Sequence, residues 1–177
     1  MNRLTFVRAA FELTKWFIFL VFALLLIHIY LLSVFIVDGP SMLSTLQDKN
    51  VVAVNKIGYR LGNPQRGDIV VVRFPGDPEG TYYVKRVIGL PGETVSVANE
   101  HVYINGKLLT EVYLDAGVKT LPDQTEVVPA DSYYTMGDNR ELSNDSRKWG
   151  AAEKRFILGK VIATVIPKIK AFPVTSY

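Results

Sequence analysis

From Trp16 to Val37 the chain reads WFIFLVFALLLIHIYLLSVFIV, about 22 residues interrupted only by His28 and Ser33. As an α-helix this run is roughly 33 Å long, enough to cross the hydrocarbon core of a bilayer. A helix apolar on every face has no polar side to offer water. The run therefore predicts a membrane anchor over residues 16–37, with residues 1–15 before it and a domain of residues 38–177 after it. A cleaved signal peptide would carry a shorter apolar region and end at a small-x-small site. Here the run ends in Val34, Phe35, Ile36 and Val37, so an uncleaved anchor is expected. Arg3, Arg8 and Lys15 precede it against the single acid Glu12, which predicts a cytoplasmic N-terminus and an outer-face domain. His28 reads as a tolerated neutral imidazole within the span.

The anchor also reorganises the charge. Its flank holds three of the 20 basic and one of the 17 acidic residues, which leaves the rest of the chain at +1 instead of +3. No Lys/Arg run with interleaved aromatics occurs, so no nucleic-acid partner is expected. The absence of cysteine excludes thiol nucleophiles, disulfides and cysteine metal sites. Two histidines, His28 and His101, are too few for most histidine metal centres. No metal and no organic cofactor is expected.

Beyond residue 37 the pattern is that of strands. Residues 51–55, 68–74, 81–90, 94–98, 101–104, 133–136 and 160–166 are rich in β-branched and aromatic side chains. GNPQRG, PGDPEG, PGE and Asn105-Gly106 punctuate them as turns. Short helical turns are conceivable near 41–45 and 151–156. The fold class expected is mostly β: one N-terminal transmembrane helix, then a folded sheet or barrel-like domain.

Three segments could carry chemistry. DGPSMLSTL, residues 38–46, places Ser41 in a turn set by Gly39 and Pro40, directly after the apolar run. By itself it reads as a juxtamembrane turn. YYVKRVIGLPGETV, residues 82–95, puts Lys85 and Arg86 in an apolar strand, pointing opposite ways, with Tyr83, Lys85 and Val87 on one face. GDNRELSNDSR, residues 137–147, is a polar loop. Its acids lack calcium-loop spacing, and Arg140 and Arg147 compete for them, so an ion-paired loop is the plainer reading. A serine nucleophile needs a proton acceptor. His28 lies in the span and His101 has no acidic partner motif, so a Ser-His-Asp triad is hard to assemble. Lysine is the alternative base, provided that it is buried enough to lose its proton. Lys85, among Tyr83, Val84 and Val87, is the lysine best placed for that.

Together these segments resemble the boxes of the type I signal peptidases, the membrane-bound Ser-Lys endopeptidases. GPSMLSTL resembles the nucleophile box and RGDIVVVRF the strand box after it. YVKRVIGLPGETV resembles the lysine box and GDNRELSNDSRKWG the last box. The resemblance runs from the anchor to about residue 165. It implies that Ser41 is the acylating nucleophile and Lys85 the general base. It implies that Ser143 hydrogen-bonds and orients the Lys85 amine. Asp145 and Arg147 would form ion pairs shaping the site, with Arg86 beside them, and Asp138 and Arg140 would hold the same loop. Met42 would pack near the nucleophile and the cleft, and the Ser41 N–H would face the oxyanion. Gly39 stands where some members carry a serine that is the second oxyanion donor, and Ser44 stands where the box often has proline. A small accessory β-region is expected within about 96–131. The implied partners are secreted precursors with signal peptides and the lipid bilayer, at a bacterial cytoplasmic membrane. The other readings are a Ser-Lys peptidase dedicated to one client, such as a pilin, conjugation or envelope factor, and a non-enzymatic membrane-tethered β-scaffold.

Overall fold

The computed structural model describes residues 3–74 and 76–172, and within the first helix the side chains of residues 7–26 and 30. The His28 side chain lies outside the described ones. Helix α1 runs Arg3–Tyr30. Its window Val7–Leu26 is long and apolar enough to cross a membrane, and none of that window is buried against the rest of the chain. So much apolar surface, packed on nothing in the protein, is what a bilayer covers.

The helix does not continue to Val37. Leu32–Ile36 form strand β1, antiparallel to β2 (Val51–Asn55), with Leu32 opposite Asn55 and Ile36 opposite Val51. Exposure alternates along β1, with Ser33 buried between exposed Leu32 and Val34. An apolar run does not distinguish helix from strand by itself. Here the waiting hydrogen-bonding edge of β2 decides, so Leu32–Ile36, at the end of the expected span, belong to the sheet.

The other elements follow in chain order: α2 (Ile57–Leu61), β3 (Ile69–Arg73), β4 (Tyr82–Gly89), β5 (Thr94–Ala98), β6 (His101–Ile104), β7 (Lys107–Leu108), β8 (Gln124–Val127), β9 (Ser132–Met136), α3 (Ser146–Trp149), β10 (Ala152–Glu153), β11 (Ile157–Ile166) and β12 (Lys170–Ala171). A 3-10 turn, Lys154–Phe156, and β10 occupy the region where a helical turn was expected. The larger sheet has the order β1-β2-β11-β3-β4-β9-β10, with β12 added to β11. The smaller sheet is β7-β6-β5-β8. All pairings are antiparallel. Asn105 and Gly106 both have positive φ, as the β6–β7 turn requires.

The core has parts on both sheets. Val52, Val54, Ile69, Val71 and Val161 pack with Met42 and Leu46 from the loop after β1. Val95, Val97, Val102 and Ile104 of the smaller sheet pack with Tyr134 and Met136 of β9. Strand β9 thus joins the two sheets, and the loop that follows it sits at their junction.

Candidate active site

Residues 38–49 form a loop with a closed neck. The Val37 N–H donates to the Asn50 carbonyl, and the Lys49 N–H donates back to the Val37 carbonyl, both at 2.8 Å. Inside, the Leu43 N–H donates to Pro40 and the Thr45 and Leu46 N–H groups donate to Met42, the hydrogen-bonded turns expected near 41–45. Met42 and Leu46 are fully buried plugs. Met42 is thereby core beneath the Ser41 turn and does not line the cleft beside it. Gly39 has φ +88°, a backbone state that suits glycine, and its N–H donates to Asp48 at 2.8 Å. That N–H is already engaged by the protein.

The turn presents the Ser41 hydroxyl to Lys85. The Lys85 ammonium lies 2.8 Å from Ser41 Oγ, across a separation of 44 residues. Strand β4 puts Lys85 opposite Val70, and the side chain is 1% exposed. Its nitrogen lies 5.5 Å from the Tyr83 ring centroid. Burial lowers the Lys85 pKa to about 8, with Asp145 and Asp138 opposing that shift and Arg147 assisting it. An amine with that pKa is a substantial base at neutral to mildly alkaline pH.

Arg86 is buried as well, so both members of the Lys-Arg pair are shielded from solvent although they leave the strand on opposite faces. Its guanidinium grips Asp138 with two bonds, Nε to Oδ1 at 2.8 Å and Nη2 to Oδ2 at 2.7 Å, and donates to the Gly67 carbonyl at 2.9 Å. Thr45 donates to Asp138 Oδ2 at 2.5 Å, which ties the Ser41 turn to this pair. The Asn139 N–H donates to the Ser41 carbonyl at 3.1 Å. Asp145 caps α3 and is fully buried. It accepts from the Gly137 N–H at 2.9 Å and twice from the Arg147 guanidinium, at 2.9 and 2.8 Å. Burial alone would raise the Asp145 pKa; Arg147 and the Gly137 N–H outweigh it and hold the carboxyl below the usual range. The ion pairs expected in loop 137–147 are therefore present, with Arg86 on Asp138 instead of Asp145.

Ser143 departs from expectation. Its hydroxyl is buried but makes no hydrogen bond to Lys85, and it lies beside the Asp145 carboxylate. Among the described residues, the Lys85 amine hydrogen-bonds Ser41. Gly137 explains how closely the loop approaches: a Cβ there would collide with the Ser41 carbonyl and the Ser143 hydroxyl. Gly137→Ala should therefore push the loop off the Ser41 turn. A fall of about a hundredfold in kcat is expected, the scale of a 1 Å misplacement, against a folded control by circular dichroism.

Arg140, by contrast, turns away from Lys85. It donates to the Gly137 carbonyl at 3.1 Å, to Thr120 at 2.5 Å, and pairs with Glu111. Glu111, Tyr113, Thr45 and Thr120 were not singled out in the sequence. The S/T spacing after Ser41 was a usable hint for Thr45; the other three follow no motif.

A cleft of about 180 Å³ opens beside Ser41 and is lined by residues 35–38 of the first-strand end, Val71 and residues 81–84. A larger cavity, about 640 Å³ beside Tyr59 and Arg155, lies elsewhere and is not lined by Ser41 or Lys85. Of the two, the smaller cleft is the one that Ser41 lines. His101 sits exposed on β6, with Nδ1 against the Asn99 carbonyl, and takes no part. Among the described residues no three metal-ligating side chains cluster.

The family model for signal peptidase, peptidase S26, matches residues 10–166. The chain belongs to that family. It is 36% identical over 170 residues to signal peptidase IB of Staphylococcus aureus (strain Mu50 / ATCC 700699), covering 85% of this chain and 87% of that protein. It is 41% identical over 159 residues to signal peptidase I of Bacillus licheniformis, covering 84% of each. A crystal structure of a signal peptidase I from Enterococcus faecalis V583 matches with TM-score 0.50 and 34% identity, over 56% of this chain and 97% of that one. The enzyme is thus a membrane-anchored serine peptidase with the signal peptidase fold.

Proposed function

We propose that Ser41 and Lys85 are the catalytic dyad of this peptidase and that it removes signal peptides from secreted precursors. The observation that carries the reading is the 2.8 Å contact between a buried lysine amine and the Ser41 hydroxyl. Neutral Lys85 takes the Ser41 proton as Oγ attacks the scissile carbonyl. The tetrahedral intermediate collapses, the amine of the mature chain leaves with the proton from Lys85, and an acyl-serine ester remains. Water, deprotonated by Lys85, then hydrolyses the ester. The Ser41 N–H is the oxyanion donor in this scheme. Gly39 has no hydroxyl to add a second one.

The position of the cleft supports the substrate class. It lies between the end of β1 and the start of β4, and its small volume suits small side chains such as those before a signal-peptide cleavage site. The N-terminus is cytoplasmic and the β-domain lies on the outer face of a bacterial cytoplasmic membrane, where precursors emerge. Arg8 and Lys15 on α1 support that orientation. The test is cleavage of a model precursor by the full chain in detergent, with the new N-terminus read by mass spectrometry. Cleavage just beyond the precursor's apolar segment is expected, and an intact precursor would overturn the reading.

The pH profile tests the base. Lys85 must be neutral, so kcat/KM should climb about tenfold per pH unit below its pKa and level off above about 8. The groups facing the amine are Ser41, Tyr83, Asp138, Asp145 and Arg147. A limb that titrates near 6.5, as a histidine would, sinks the assignment of Lys85.

A further inference from the structure

Between β7 and β8 the chain leaves the smaller sheet and crosses to the active site as a strap. It turns twice, with the Leu114 N–H on the Glu111 carbonyl and the Val118 N–H on the Asp115 carbonyl. Its far end is tied down by the Thr120 N–H on the Glu100 carbonyl at 3.0 Å. Glu111 side-chain oxygens bind both terminal nitrogens of Arg140, in a pair that is 9% exposed on the acid and 0% on the base. A buried ion pair of this kind fixes geometry, because neither partner has water to turn to. The Tyr113 hydroxyl donates to Glu111 at 2.6 Å, while its ring lies over the Arg86 guanidinium at 3.9 Å. That distance is well inside the range for a cation–π contact. The Tyr113 carbonyl also accepts from Ser44, in the nucleophile turn, at 3.3 Å.

The strap therefore touches both halves of the site. Through Arg140 it holds the Gly137 carbonyl, one residue from Asp138 and two from the Asn139 N–H that binds Ser41. Through Arg86 it holds Asp138, and so Thr45. We propose that Glu111 and Tyr113 are positioning residues for the reaction, which clamp loop 137–145 against the nucleophile turn and keep Ser41 within reach of Lys85. Neither residue touches the reacting atoms. The clamp joins a part of the fold far from the cleft to the alignment of the dyad.

This inference rests on the assignment of Ser41 and Lys85, so its test carries a control for each. Wild type and Ser41→Ala are compared first on the model precursor; activity only in wild type upholds the dyad independently of the strap. Tyr113→Ala, Tyr113→Phe and Glu111→Gln are then assayed as full chains in detergent, each with its folded fraction from thermal unfolding. Tyr113→Ala and Glu111→Gln should lower kcat about tenfold or more per folded enzyme, with KM within about twofold, since alignment and not binding is lost. In Tyr113→Ala the Arg86 guanidinium loses the ring that braces it, which should loosen its grip on Asp138; the less compensated carboxylate favours protonated Lys85 and should move the acid limb of the pH profile to higher pH. Tyr113→Phe keeps the ring on Arg86 and should retain kcat within about threefold of wild type. A purely structural strap would scale activity with the folded fraction and leave the limb in place. That result, or wild-type kcat in both Tyr113→Ala and Glu111→Gln, would overturn the proposal.

Discussion

Lys85→Met should destroy activity and stabilise the protein at the same time. Without a base at Ser41, precursor cleavage should fall by about 10⁴-fold or more, the scale on which serine peptidases respond to losing their base. Ser41→Ala should fall as far. Stability moves the other way. The folded pKa of Lys85, about 8, lies below the ordinary lysine value of 10.5. Between those two values the unfolded chain binds more protons than the folded one, so stability rises with pH across that window and the full cost is felt below pH 8. The cost at pH 7 is about 3 kcal/mol at one pKa unit per 1.36 kcal/mol. Methionine removes that cost, fills a similar volume, and forfeits one hydrogen bond to Ser41 worth about 1 kcal/mol. The balance predicts a rise in Tm of about 5 °C at pH 7. Repeating the melts at pH 10 should shrink the gain, since wild-type Lys85 is then neutral. A lower Tm for Lys85→Met at pH 7 would show that the lysine is not strained by its burial.

Asp145→Ala is the second large effect, and here the loss is structural. The substitution strands the Arg147 guanidinium, whose side chain is 5% exposed. It also orphans the Gly137 N–H and the N-terminus of α3. Breaking a buried ion pair on one side costs about 3–5 kcal/mol, a third or more of the stability of an ordinary domain. Denaturant unfolding of the full chain in detergent should show that loss, and activity should vanish with the loop. Asp145→Asn separates fold from chemistry. It keeps the shape of the cap but removes a negative charge that favours protonated Lys85, so in the folded fraction the acid limb of the pH profile should shift to lower pH. Asp145→Ala within 1 kcal/mol of wild type would mean that solvent reaches Arg147.

Much of the domain was readable because its strands advertise themselves. The runs at β2, β5 and β6 coincide with the strands residue for residue, since β-branched side chains on a pleated, half-buried surface leave a clear alternation. Strand β1 was hidden because its composition continues that of the helix before it, and only the edge of β2 separates the two. Strand β8, QTEV, has no apolar stripe to mark it, and the two-residue strands β7, β10 and β12 are pairings more than patterns. At the candidate site, the pairing of Ser41 with Lys85 was legible through motif and chemistry, and the two do meet. Glu111 was not: it meets Arg140 across 29 residues of sequence, and only the packing of the smaller sheet against β9 brings them together. The absence of a Ser143 bond to Lys85 was equally invisible, because it depends on where the folded loop sets a buried hydroxyl.

The passage from Tyr30 to Leu32 has a mechanical consequence. One residue, Leu31, separates the end of α1 from the first paired residue of the sheet, and its carbonyl is held by the Lys56 N–H at 2.9 Å. A tethered enzyme on a flexible leash would sample a shell of heights and tilts above its attachment point. With so short a junction, and with the orientation proposed above, the Ser41 turn would act as a ruler: a fixed height over the bilayer would select the bond by depth before side chains select it.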